Sequence, residues 1–225
     1  MKNKILTLII PAKNESTSLP MVLNSLKKFN YNIIVSLSGD DQETINSINN
    51  YDNIKILKQS GKGYGNALVE GINACKTKYF CIFNADGSFE AKDLYRMYKI
   101  VKKNDFVFAS RYDRGGGSDD DSILTLVGNF FFTALAKIFF SLRINDILYT
   151  YILGHTKKAK ELELSLNDFG FCVELPIKAK RMNMKLLSSS SHERKRIAGF
   201  KKVNAFKDGL SILIHMIKLF FWNKK

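Results

Sequence analysis

The sequence predicts an α/β domain with a mostly parallel central sheet followed by apolar helices, and three observations carry that expectation. Over the first 110 residues short apolar runs alternate with amphipathic helical patterns, and such alternation builds a parallel sheet covered on both faces. A run of glycines and acids, DRGGGSDDD at 113–121, ends the alternation because it continues neither periodicity. Beyond it lie a segment that is apolar on nearly all sides, 122–142, and a shorter one in which apolar residues dominate, 206–222.

Strands are expected at 5–10, 32–36, 54–57, 79–84 and 106–109, where apolar residues, β-branched and aromatic ones prominent, run together. The first helix carries Leu19, Val22, Leu23, Leu26 and Phe29 at helical spacing, with Ser16 or Ser18 as its cap. Parallel sheets bind ligands outside the carboxyl ends of their strands, so the loops after the strands are the place to look for chemistry. The break at 113–121 reads as a mobile loop. The segment 122–142 is long enough to resemble a membrane span, but Asn129 and Lys137 interrupt it. A lone Lys is costly at bilayer depth, which favours a helix lying on a membrane surface or packed on the domain.

The 206–222 segment is shorter, and Lys207, Lys218, Lys224 and Lys225 are placed to meet anionic head groups beside Phe220, Phe221 and Trp222. The resulting plan has one domain over 1–205, with 122–152 supplying apolar helices, and a C-terminal amphipathic helix over 206–225.

Composition narrows the class. With 225 residues, 45% hydrophobic and 25% charged, the chain is an ordinary globular protein with room for a core. Its net charge of +14 attracts phosphorylated substrates, anionic lipid or nucleic acid. Nucleic acid is set aside, because Lys and Arg are spread along the whole chain and no finger spacing, RNA-binding sheet motif or basic zipper is present. Cys75, Cys81 and Cys172 sit in apolar-rich segments without metal-ligand spacing, which reads as buried free thiols in a reducing compartment. The opening apolar run stops at Pro11, too short for a secretory signal, so the expected location is cytoplasmic.

The most informative segment is YFCIFNADGS at 79–88, an apolar strand ending abruptly in Asn84, Ala85, Asp86 and Gly87. A carboxylate at such a strand end can hold Mg²⁺ or Mn²⁺ against a diphosphate; taken alone, the same residues also describe an ordinary turn. In order, IIPAKNE, GKGYGNA, FNADGS and ASRYDRGGG, followed by a basic stretch HERKRIAGFKKVNAFKDG, resemble the family 2 glycosyltransferases. The likeness is greatest to the branch of dolichol-phosphate mannose synthase and bacterial polyprenyl-phosphate sugar transferases, and runs over residues 5–210.

That resemblance implies a GT-A-like nucleotide-binding domain, a nucleoside diphosphate sugar as donor, a polyprenyl phosphate or lipid-linked glycan as acceptor, a divalent metal, inversion at the sugar, and peripheral attachment to the anionic inner face of a membrane. Carried over residue by residue, Pro11, Ala12, Asn14 and Glu15 match the nucleotide-binding loop after the first strand. Gly61, Lys62, Gly63 and Asn66 match the glycine-rich segment beside the nucleotide, where missing side chains let a ligand approach. Asp86 is the expected metal ligand; Asn84 stands where the family usually has a second Asp, and Ala85 lies between them. Asp40 and Asp41 are displaced towards the loop tip from the family's base-reading acids. Arg111 and Arg114 match a basic loop over the phosphates, and Arg196, Gly199 and Lys202 match a second one, ahead of Asn204, Asp208 and Gly209. Asp146 falls where the family has an acid on the acceptor side. Glu174, in DFGFCVE, is either a general base for a hydroxyl acceptor or an ion-pair partner. A glycan hydroxyl as acceptor, or nucleotide-sugar binding with little catalysis, are the alternatives.

Overall fold

The computed structural model describes residues 5–199 and 204–222. The strands are β1 Leu6–Ala12, β2 Asn32–Leu37, β3 Ile54–Lys58, β4 Tyr79–Ile82, β5 Phe106–Ser110, β6 Gly117–Ser118, β7 Ile152–His155, β8 Leu186–Ser190 and β9 His192–Glu193. The helices are α1 Ser18–Leu26, α2 Gln42–Ile48, α3 Tyr64–Ala74, α4 Asp93–Val101, α5 Ile123–Phe140, α6 Thr156–Glu161, α7 Phe171–Arg181 and α8 Ala205–Phe220. Seven strands form one sheet in the order β3-β2-β1-β4-β7-β5-β8, parallel except for β7, which runs antiparallel to both neighbours. The short strands β6 and β9 pair separately.

Period-2 alternation divides the core in two. Leu6, Leu8 and Ile10 of β1 point to one face, where they pack with Leu19, Val22 and Leu23 of α1, Ile45 of α2 and Leu94 and Met97 of α4. Ile9 points to the other, with Leu68 and Ile72 of α3, Phe132 and Ala136 of α5, Val173 and Ile177 of α7 and Ile212 and Met216 of α8. All three cysteines are buried and free, and burial pushes the Cys172 thiol up to about 12.

Helix α1 starts one residue off the expected cap. Thr17 holds the cap position without a side-chain bond, while Ser16 donates to Glu43 and Ser18 donates to the Glu15 carboxylate. The break at 113–121 is structured: β6 pairs with β9, and Asp119 N–H donates to the Glu193 carbonyl at 2.8 Å.

Helix α5 is long and apolar enough to cross a membrane by length and composition, yet one flank is packed on the domain. There Asn129 Oδ1 accepts from Leu148 N–H at 3.2 Å, Thr133 Oγ1 accepts from Ile147 N–H at 3.3 Å, and Lys137 reaches Asn145 Oδ1 at 2.7 Å. The polar interruptions seen in the sequence are therefore the seam between helix and domain. Helix α8 lies beside it, with Phe220 ringed by Phe139 and Phe140 at 6.1 Å from each.

Candidate active site

At β1 the sheet changes its direction of growth, with β2 on one side and β4 on the other. A crevice opens outside the carboxyl ends of strands at such a switch point. The chain leaving β1 carries Asn14 and Glu15, and the chain leaving β4 carries Asn84, Ala85 and Asp86.

The turn after β4 folds back on itself. Asp86 Oδ1 accepts from Ser88 N–H at 3.0 Å and from Ser88 Oγ at 2.7 Å, and Asn84 Nδ2 donates to the same Ser88 oxygen at 3.2 Å. Gly87, at φ +83°, makes this reversal without strain. The stretch 194–197 is stitched onto the turn: Arg194 N–H donates to the Ser88 carbonyl at 2.9 Å and Ile197 N–H to the Asp86 carbonyl at 2.8 Å. Arg196 Nη1 then lies 3.8 Å from Asp86 Oδ2, and its Nη2 donates to Asp120 Oδ2 at 2.9 Å. Burial alone would lower the Arg196 pKa, but Asp120, Asp86 and Glu15 hold it above its ordinary value. A side chain added at Gly199 would reach Glu15 Oε2 at 3.9 Å. The first-strand loop, the Asp86 turn and the basic loop, far apart in sequence, thus meet in one crevice.

Arg111 takes a different place from the phosphate-gripping one expected. Its side chain is 10% exposed and its guanidinium makes a fork with Asp146, Nε to Oδ2 at 2.8 Å and Nη2 to Oδ1 at 3.0 Å, while Nη1 meets Glu193 at 3.0 Å and Asp121 at 3.3 Å. Tyr149 covers it at 4.7 Å from the ring centre. Burial would lower its pKa, but the bonds and charge of Asp146 and the charge of Glu193 outweigh that and raise it. Asp146 itself sits in the irregular stretch before β7, not on a helix. Arg114 is exposed on the loop before β6.

The glycine-rich segment also departs from expectation. A Cβ at Gly63, which has φ +106°, would lie 2.1 Å from the Asn167 carbonyl oxygen, and one at Gly65 would lie 2.2 Å from that of Leu166. The glycines admit the chain's own 166–168 backbone, and Asn66 N–H donates to the Asn167 carbonyl at 3.2 Å. Gly61 lies against the Asn66 amide, which accepts from Gln59 at 3.0 Å. Lys62 stays exposed. The Asp40 carboxyl is held below its ordinary range by Ser38 first, with the charges of Lys62 and Lys13 adding to it. Asp41 caps α2 through Thr44 and accepts from Asn14 N–H at 2.7 Å. Pro11 and Ala12 pair with Ser36 and Leu37 at the end of β1.

Glu174 takes the ion-pair alternative. It is 1% exposed, lies 2.7 Å from Lys178 Nζ, and accepts from Ser165 N–H at 3.0 Å and Leu166 N–H at 2.9 Å. Those bonds fix the loop that presses on Gly63 and Gly65. Asn204 and Asp208 serve as a reciprocal cap for α8, through Lys207 N–H and Asn204 N–H. Lys202 falls outside the described residues, as do Lys224 and Lys225. Trp222, expected at a membrane interface, is partly covered, with Lys178 Nζ 5.4 Å from its ring centre.

The partners of the acids 119–121 and of Glu193 emerge only in the structure. Asp119 meets His192 at 3.0 Å, Asp120 meets Arg196 and Asp121 meets Arg111. The available signal was an acid run of the same length as the scattered cations it meets.

Among the described residues no group of three or more metal-ligating side chains is placed to hold a cation. Asp86 Oδ1 is taken up by Ser88, while Oδ2 has Arg196 at 3.8 Å and no closer bond among the described residues. Mg²⁺ keeps several waters and is commonly bound by one or two carboxylates plus substrate phosphates. The site fits a metal brought by a diphosphate, and does not fit one caged by the protein alone.

This geometry, a parallel-rich sheet with an acid and a basic loop meeting at its switch point, defines a GT-A-like fold. Structures of glucosyl-3-phosphoglycerate synthase from Mycobacterium tuberculosis superpose with a TM-score of 0.70 at 11% identity, covering 99% of this chain and 82% of that one, in a complex with Mn²⁺, UDP and glucosyl-3-phosphoglycerate. A complex of the same enzyme with Mg²⁺ and UDP gives 0.71, again at 11% identity and covering 99% of this chain and 82% of that one. The chain belongs to glycosyl transferase family 2, whose sequence profile matches residues 7–162. Curated relatives include a dolichyl-phosphate beta-glucosyltransferase of Dictyostelium discoideum, 33% identical over 46% of this chain and 38% of that protein. A poly(ribitol-phosphate) beta-N-acetylglucosaminyltransferase, TarP, of Staphylococcus aureus (strain N315) is 24% identical over 81% of this chain and 60% of its own length. The matches thus span between 38% and 60% of these two relatives.

Proposed function

We propose that the protein transfers a sugar from a nucleoside diphosphate sugar to a polyprenyl phosphate at a membrane surface, with inversion at the anomeric carbon. The observation that carries this reading is the state of the acids. Glu174 and Asp146, the two carboxylates considered as bases for a hydroxyl acceptor, are each about 1% exposed and locked in ion pairs. A phosphate acceptor is already anionic at neutral pH and needs no such base. The name of the Dictyostelium relative supports the same acceptor class.

In this reading Arg196 neutralises donor phosphate and Glu15 accepts from the nucleotide. Asp86 would hold Mg²⁺ or Mn²⁺, which when bound neutralises charge developing on the departing nucleotide. Membrane attachment rests on α5 and α8. Phe131, Ile138 and Phe139 on one, and Phe206, Leu210 and Ile217 on the other, are each more than half exposed, and Lys207 and Lys218 flank them on α8. Helix α5 starts at Ile123, capped by Ser122 directly after the acid run, and α8 starts at Ala205, capped by Asn204. An apolar helical face with flanking lysines suits the headgroup region of an anionic bilayer.

The test is product formation from UDP-, GDP- and dTDP-sugars with polyprenyl phosphate in anionic vesicles, with the divalent cation present. Lipid-linked product is expected, lost with chelator and in Asp86→Ala. Product on a glycan but none on polyprenyl phosphate would move the acceptor, and failure to sediment with the vesicles would remove the membrane claim.

A further inference from the structure

The acid run 119–121 is a charged cluster beside the crevice that the proposed reaction leaves unexplained. It is held beside the crevice by the β6–β9 pairing and by the bond from Asp119 N–H to the Glu193 carbonyl at 2.8 Å. From there Asp119 meets His192, Asp120 meets Arg196 and Asp121 meets Arg111. The three pairs differ in what else their cations have. His192 and Asp119 are well exposed, at 44% and 58% for their side chains. Arg111 has Asp146 and Glu193 besides Asp121. Arg196 has one close carboxylate, Asp120 at 2.9 Å, with Asp86 farther off at 3.8 Å.

We infer that Asp120 and a donor's diphosphate compete for the same position on Arg196, so that Asp120 sets donor affinity through that guanidinium. The inference rests on the sugar-transferase reading of the same crevice. A carboxylate and a phosphate oxygen present the same chemistry to a guanidinium, a planar fork of donors that grips either bidentately. Ligand binding to Arg196 must then break the Asp120 bond, and the cost appears as weaker affinity for the diphosphate group alone. Asp120 is a positioning residue here, because it acts through Arg196 and needs no contact with the sugar.

The test is calorimetric titration of the full chain with UDP and with GDP, in Mg²⁺, comparing wild type with Asp120→Asn. Affinity for the diphosphate is expected to rise on the order of tenfold when the competing charge is removed, while uridine, which lacks phosphate, is bound no more tightly. Asp120→Ser must show the same gain, which guards against an effect peculiar to the amide. Asp52→Asn, at an exposed turn acid elsewhere on the surface, makes the same change in net charge and is expected to leave affinity as in wild type. In an Arg196→Ala background, Asp120→Asn is expected to change nothing, so the double-mutant cycle isolates the pair. Equal or weaker diphosphate binding by folded Asp120→Asn overturns the inference, as does an equal gain in Asp52→Asn. Wild type binding UDP or GDP with no gain in Asp120→Asn leaves the transferase reading standing and removes this one. If neither protein binds either diphosphate, both fall.

Discussion

Arg111 and Arg196 sit on neighbouring loops beside the same acid run, yet one is built in and the other is left available. Arg111 is 10% exposed in its side chain and is met by Asp146, Glu193 and Asp121, with Tyr149 over its face. Arg196 is 21% exposed and meets one acid closely and one at longer range. A guanidinium forked onto a fully buried carboxylate and met by two further acids organises structure, since freeing it for a ligand would strand the buried charge. One with incomplete compensation can exchange partners.

The largest effect that can break this comparison is Arg111→Ala. Removing the cation leaves a fully buried Asp146 unpaired, and a loss of about 3–5 kcal/mol is expected by chemical denaturation. A folded, stable Arg111→Ala protein with a selective loss of donor binding would reverse the assignment. Glu174→Gln comes next. It weakens the bonds to Ser165 and Leu166 and strands Lys178, for an expected loss of about 1–3 kcal/mol. Transfer should persist at low temperature, and its abolition in a protein that unfolds like wild type would restore Glu174 as a base.

Arg196→Ala should cost less stability, under about 1 kcal/mol because it strands no fully buried carboxylate, while weakening nucleoside diphosphate binding by at least about tenfold. The smallest effect is one of pH. Burial by itself would raise the Asp168 carboxyl, but bonds from Ser211, Gly170 and His215 outweigh it and hold it below its ordinary range. Its contribution is therefore complete above the unfolded carboxyl pKa near 4 and disappears as pH falls through the lower folded value. Because Ser211 and His215 belong to α8, acid should loosen that helix first. A proteolysis-rate profile from pH 5 to about pH 2 checks it, and the acid step should be missing in Asp168→Asn.

The first five strands and the first helix were legible because each follows from a local period. The β7 strand was not, since Ile152–His155 is four residues at the end of a long apolar stretch, where period alone cannot separate strand from helix. Strand β8 hides behind three serines and pairs with β5 alone. At the site, Asp86, Glu15 and Arg196 were picked out by the family resemblance, and Arg196 lies 3.8 Å from Asp86 with the Glu15 charge acting on it. The role of Arg111 was not readable, because the partners that enclose it, Asp146 and Glu193, lie 35 and 82 residues away. Gly63 shows why a glycine is ambiguous: an absent side chain invites any close neighbour, and here the neighbour is the protein's own backbone.

The clasp at the end of α8 has its own consequence. Arg181 donates to the carbonyls of Phe220 and Trp222, satisfying acceptors that the last turn of a helix leaves open. With Asn204 capping the other end, α8 is wound before anything touches it. A surface helix that winds only on contact spends part of its binding free energy on ordering itself. This one arrives rigid, so its encounter with a partner surface should resemble a stiff paddle settling rather than a tail condensing, with little added helicity and a small enthalpy of association.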